Sequence, residues 1–145
     1  MSISYIFGKK ELTVLSAAVV GRTDILPEGF SEAVSQGEQT SVLGSLKRKG
    51  YISYSDSRTG RISVEQTAAF LVNMIADADS LALSADGRAC AFYCPKLIII
   101  VEQDRLSAEK CRITPLRDES ELRIYSEEND KAFGEKRKNE RNEEI

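Results

Sequence analysis

Apolar side chains along this chain recur first with a helical period and then, past Asp77, with the alternation of strands. Over residues 9–20, Leu12, Leu15, Ala18 and Val19 fall at i, i+3, i+4 spacing and Gly21 follows as a stop, which predicts a first helix. Pro27 and Gly29 break the next stretch, and a short helix is expected over 31–35, ended by Gly37. A third helix is expected over 38–49, with Val42, Leu43 and Leu46 inward and Gly50 as its stop. Two β-prone runs, 51–54 and 61–64, flank a polar loop and predict a hairpin. Three helices followed by a hairpin is the winged-helix order. Residues 65–76 return to the helical period, with Ala68, Leu71, Val72 and Ile75 on one face. Phe70 and Met74 add apolar surface on another, so this helix is expected to be buried on most sides.

The second half reads as a small antiparallel sheet. Runs 80–85 and 88–94 flank Asp86 and Gly87, the strongest short hairpin signal. Residues 96–103 predict a third strand, 110–116 a fourth, and 117–128 a closing helix. In the third strand Leu97, Ile99 and Val101 point to one face and Ile98 and Ile100 to the other, so both faces need cover. That cover is expected from the helix at 65–76 on one side. On the other it is expected from the closing helix, a second subunit or a partner. Phe92, Tyr93, Ile98, Ile100 and Glu102 are therefore the candidate partner-binding residues. The expected fold class is α+β, with a winged-helix-like subdomain at 1–64 and a helix plus about four antiparallel strands at 65–126. In 127–145 twelve of nineteen residues are charged, so this tail is expected to be frayed or disordered.

Composition narrows the chemistry. At 145 residues the chain suits one compact domain or two small subdomains sharing a core. It contains no histidine, which removes His-based triads, Cys–His nucleophiles and most zinc and iron sites. Cys90 and Cys94, read on one strand, lie roughly 13 Å apart, beyond disulfide reach. With Cys111 they are expected to be reduced thiols, and no base stands by to activate Cys94. The nine glycines form no phosphate-binding loop. Asp77 and Asp79 close a helix, while Asp118, Glu119 and Glu121 open one, where carboxylates suit the helix dipole. No catalytic residue, cofactor or metal is expected. The start of the chain carries no leader pattern and the longest aliphatic block, 97–101, is too short to cross a bilayer, so a cytosolic location is expected.

Charge is unevenly spread, at +2 over 1–64, −6 over 65–130 and +1 over 131–145. As a winged helix the first half would offer Gln39, Thr40, Ser41 and Ser45 to base edges, and Lys47, Arg48, Lys49, Arg58 and Arg61 to phosphates. Against this alternative, a transcriptional regulator with a dimerising or sensing sheet, stand Glu38 at the helix start and the acidic chain as a whole.

The order of these motifs resembles a known family. Gly8-Lys-Lys-Glu-Leu-Thr-Val-Leu-Ser-Ala-Ala-Val-Val-Gly-Arg22, then Leu43-Gly-Ser-Leu-Lys-Arg-Lys-Gly-Tyr-Ile52, then Gly60-Arg-Ile-Ser-Val64 before an apolar helix and Ser80-Leu-Ala-Leu83, is similar to the EspG-type chaperones of type VII (ESX-like) secretion. The resemblance covers most of 5–125 at the level of pattern. It implies a winged-helix-like element beside a sheet, and a role holding secreted substrates by an exposed helical tip. The chain has about half the length typical of that family, whose members usually contain two related halves. A homodimer would supply the second half and cover the open sheet face. The resemblance carries no binding residue onto particular positions. The expected function is thus a non-enzymatic protein-binding module, a cytosolic chaperone or accessory protein working as a dimer.

Overall fold

The strand alternation of the second half becomes a meander, and the helices of the first half pack onto it. The computed structural model describes residues 3–56 and 61–139. Its elements run β1 (Tyr5–Gly8), α1 (Lys9–Val20), α2 (Gln39–Arg48), β2 (Ile52–Asp56), β3 (Arg61–Val64) and α3 (Gln66–Ala76). They continue with β4 (Ser80–Leu83), β5 (Ala89–Tyr93), β6 (Ile98–Gln103), β7 (Lys110–Leu116), α4 (Glu119–Asn129) and β8 (Arg137–Lys138). One sheet has the order β1-β7-β6-β5-β4-β8, antiparallel throughout, and β2 and β3 pair separately.

Strand β6 decides how the layers form. Its Ile99 and Val101 join Phe92, Cys111 and Ile113 in the larger core, with Leu12 and Leu15 of α1, Leu46 of α2 and Leu71 and Ile75 of α3. Its Ile98 and Ile100 face the other way, into a smaller core with Ala91, Leu116 and Tyr125 of α4. Both faces are covered within one chain. Full burial of Ile99 and Ile100 contributes about 1.5–3 kcal/mol each. The β4–β5 hairpin turns at Asp86 and Gly87, where Gly87 takes φ 73° and Asp86 Oδ1 accepts from the Arg88 N–H at 3.0 Å.

Several expectations need correction. The sheet has six strands rather than about four. The additional ones are β1, which pairs with β7, and β8, which pairs with β4. Because β1 belongs to the first half of the chain, the sheet draws on both sides of residue 64. No helix forms over 31–35. Its backbone is bonded elsewhere: the Glu32 carbonyl accepts from Thr13 Oγ1 at 2.5 Å, and the Ser35 N–H donates to Glu38 Oε1 at 3.2 Å. Phe70 is 49% exposed, whereas Met74 packs half-buried against the larger core, so α3 is not buried on most sides. Within the described residues, which reach Asn139, the charged tail is part of the fold. α4 reaches Asn129, Asp130 takes a left-handed φ of 51°, and the chain then returns along β4, with Lys131 and Asn139 buried.

Candidate interaction surface

β1 is an outer strand, and the hydrogen bonds around it show which of its groups face outward. The Lys9 N–H donates to the Glu109 carbonyl at 2.8 Å. In an antiparallel ladder alternate residues bond the same neighbour, so Tyr5 and Phe7 bond β7 as Lys9 does, and Ile6 turns its N–H and C=O away from the sheet. The Gly8 N–H donates to Glu11 Oε1 at 2.6 Å, which ends the free edge at the start of α1. No described strand pairs with this edge. It carries no charge and no proline, and Ile6 is 42% exposed. Natural proteins usually guard such edges with charge, proline or cover. The opposite edge is guarded in that way, by Arg137 and Lys138 of β8.

Beside β1 the face bearing α4 is not fully covered. A cavity of about 490 Å³ opens between α4, the sheet at β6 and β7, and Ser4 just before β1, lined by Arg112, Thr114, Ile124 and Glu128 among others. A second, of about 320 Å³, continues it past Arg105 and Leu106. Ile124 is 53% exposed and Leu106 96%. Ser4 Oγ and Thr114 Oγ1 lie 2.8 Å apart and hold the start of β1 to β7.

Under α4 lies a buried ionic network. Tyr125 Oη donates to Glu102 Oε1 at 2.6 Å. The Lys131 ammonium, 3% exposed, sits 2.5 Å from Asp86 Oδ2 and 3.6 Å from Glu102 Oε2. The lysine, helped by Ser84 Oγ and the Arg88 N–H, holds the Asp86 carboxyl well below the usual carboxylate range. Burial, then the Glu102 carboxylate, pushes the Tyr125 phenol up. These groups bond one another and tie the tail to the sheet. The charge pattern of the tail gave no sign that one of its lysines is buried.

The residues proposed from sequence for partner binding are placed inside the molecule. Phe92, Ile98 and Ile100 are core side chains, Glu102 is held by Tyr125 and Lys131, and Tyr93 is half-buried beneath the Lys136 ammonium, 4.2 Å from its ring centre. The exposed residues beside β1 are instead Ile6, Arg112, Ile124 and Glu128. The sequence signal for β1 was one alternating run, from Ser4 to Phe7, too short to separate from the helix it leads into.

The candidate DNA-binding residues divide. Gln39, Thr40, Ser41, Lys47, Arg48 and Arg61 are exposed, while Arg58 lies outside the described residues. Ser45 Oγ and Lys49 Nζ instead donate to the buried Glu11, at 2.7 and 2.8 Å. Burial works to raise the Glu11 pKa, but Lys49, the Gly8 N–H and Ser45 together hold it below its ordinary value. Lys47 Nζ lies 5.1 Å from the Tyr54 ring centre. Glu38 is pulled down to about 2, first by its bond from Lys10.

Cys90, Cys94 and Cys111 form no disulfide with one another. Burial, with Asp79 and Asp77 nearby, pushes the Cys94 thiol up to about 12, and burial pushes Cys111 up to about 11. Their sulfurs lie 3.3 Å from the Met74 and Phe30 carbonyls. Neither environment activates a nucleophile. Among the described residues no group of three or more Cys, Asp or Glu is placed to hold a metal ion, and no helix is long and apolar enough to cross a membrane. No family model, curated protein or solved structure matches the chain.

Proposed function

We propose that this chain is a non-enzymatic protein-binding module that takes up its partner by adding the partner's extended backbone to β1. The observation that carries this reading is the bare, uncharged edge with Ile6 exposed beside an open cavity. The unactivated thiols, and carboxylates occupied in caps and ion pairs, support a module without catalysis. Three cysteines that form no disulfide with one another support a reducing, cytosolic setting. The pairing of α1, α2 and the β2–β3 hairpin with a sheet supports the winged-helix-like half, and with it the resemblance to type VII chaperones. In that role the partner is a secreted substrate or a second copy. The bare edge favours an extended contact over the helical tip that the resemblance implies.

The test is purification of the chain with its partner from the native host, with mass determination and a photo-cross-linking residue at position 6 or, as control, position 70. Cross-links concentrated at position 6 are expected, with the complex lost in Ile6→Lys. Equal labelling at both positions, or a complex that survives Ile6→Lys, would contradict the reading.

A second reading, a winged-helix DNA-binding regulator, draws on exposed Gln39, Thr40, Ser41, Lys47 and Arg48 along α2. Glu11 weakens it by engaging Ser45 and Lys49. Fluorescence anisotropy with duplex DNA at low and moderate salt decides the matter, since phosphate contacts give steeply salt-dependent binding.

A further inference from the structure

We infer that the segment docking on β1 alternates basic and apolar residues, an inference that rests on β1 being the docking edge. The length of that segment follows from the edge itself. Ile6 presents both backbone groups outward, and Glu11 closes the edge at Gly8, so pairing is confined to the few residues around Ile6. A strand added there directs every second side chain to the α4 face. Ile6 is on that face: its register partner Arg112 lies opposite Glu102, which bonds Tyr125 of α4. Apolar side chains of the incoming strand would meet Ile6 and Ile124.

The charge of this face sets the rest. Three carboxylates, Glu102, Glu121 and Glu128, line the cavity against one guanidinium, Arg112. Residues 65–130, which supply most of its lining, carry a net −6. Glu102 is paired internally and Glu121 bonds Arg117. Glu128, exposed near the end of α4, is the carboxylate best placed for an incoming cation.

The molecule already uses this arrangement at its other edge. There β8, made of Arg137 and Lys138, pairs with β4. Just before it, Lys136 lies over the Tyr93 ring and bonds Glu119 of α4 at 3.1 Å. A basic strand thus sits on the sheet edge, and the lysine just before it reaches an α4 carboxylate. Next to the β1 edge, the cavity that Ser4 shares with α4 has Glu128 toward the other end of the same helix, and no described strand of the chain pairs with that edge.

The probes are two capped nine-residue peptides, one alternating lysine with valine and one alternating glutamate with valine, titrated into the full chain by NMR. The lysine–valine peptide is expected to bind, to slow exchange of the Ile6 amide and to weaken as salt is raised. The glutamate–valine peptide is expected to bind about tenfold more weakly, since each exposed charge pair contributes about two- to fivefold. Glu128→Lys, at an exposed helical position, is expected to keep its thermal unfolding midpoint and to narrow the difference between the peptides. If both peptides protect Ile6 equally, the basic preference is wrong and edge docking stands. If neither protects Ile6, both fail. Lysine–valine binding unchanged in Glu128→Lys would also overturn the inference.

Discussion

Removing the Lys131 ammonium tests whether the charged tail belongs to the fold. In Lys131→Met the stem keeps its packing, but Asp86 and Glu102 lose the cation 2.5 and 3.6 Å away. Breaking a buried pair by deleting one partner typically costs about 3–5 kcal/mol. Two features reduce that figure here. Asp86 is 45% exposed and regains water, and Glu102 keeps its bond from Tyr125. The expected loss is therefore about 2–3 kcal/mol, read as a lowered urea midpoint with little change in slope. Adding Glu102→Gln should recover part of it, since a neutral amide still accepts from Tyr125 without being left as a buried charge. The sign of the pH dependence follows from Asp86, whose folded pKa is depressed below 3.8. Its contribution is fully present above that value and is lost as pH falls through it toward the folded pKa, so wild type should lose more stability on acidification than Lys131→Met. A loss below about 0.5 kcal/mol, the level of an ordinary surface substitution, would show that the lysine is not held as described.

Three further outcomes are expected. Ile100→Ala, beneath α4, should cost about 2–5 kcal/mol in urea unfolding; a near-neutral result would mean that the smaller core is not packed. At pH 8 native Cys111 should alkylate about 100-fold, and native Cys94 about 1,000-fold, more slowly than in denaturant, since thiols raised to about 11 and 12 hold little thiolate; comparable rates in mass spectrometry would refute this. Glu11→Gln should lower stability by about 1–2 kcal/mol, because the amide loses the charge that pairs Lys49 and keeps one acceptor oxygen for the Gly8 N–H, Ser45 and Lys49. The Glu11 contribution should be present above its ordinary value of 4.5 and fade as pH falls below it. A flat difference between pH 7 and pH 3 would contradict it.

Where side chains repeat over many residues, the sequence is readable. The two-faced Ile98–Val101 run demanded cover on both sides, and α3 and α4 supply it. Asp86 and Gly87 marked their hairpin because a tight turn needs the positive φ that Gly87 adopts. β1 was not readable, because four residues that lead directly into a helix carry too little period. The 31–35 segment misled because its backbone partners, on Thr13 and Glu38, are long-range or side-chain groups invisible to local pattern. The tail misled for a related reason. Its composition describes a solvated chain, yet Lys131 finds two carboxylates and Phe133 an aromatic neighbour in Tyr125. The residues expected to bind a partner lie on interior strands of the sheet and are mostly buried. Their apolar character signals core first, whereas exposure at an edge is set by topology.

The most direct test of the proposal is residue-resolved amide hydrogen exchange at Ile6 and Phe7, in the free chain and in the partner complex. The ladder register predicts that Phe7 is protected in both states, and that Ile6 exchanges rapidly when free and becomes protected when the partner strand is added. Ile6 protected in the dilute free chain, or still exchanging rapidly in the complex, would contradict docking at the β1 edge.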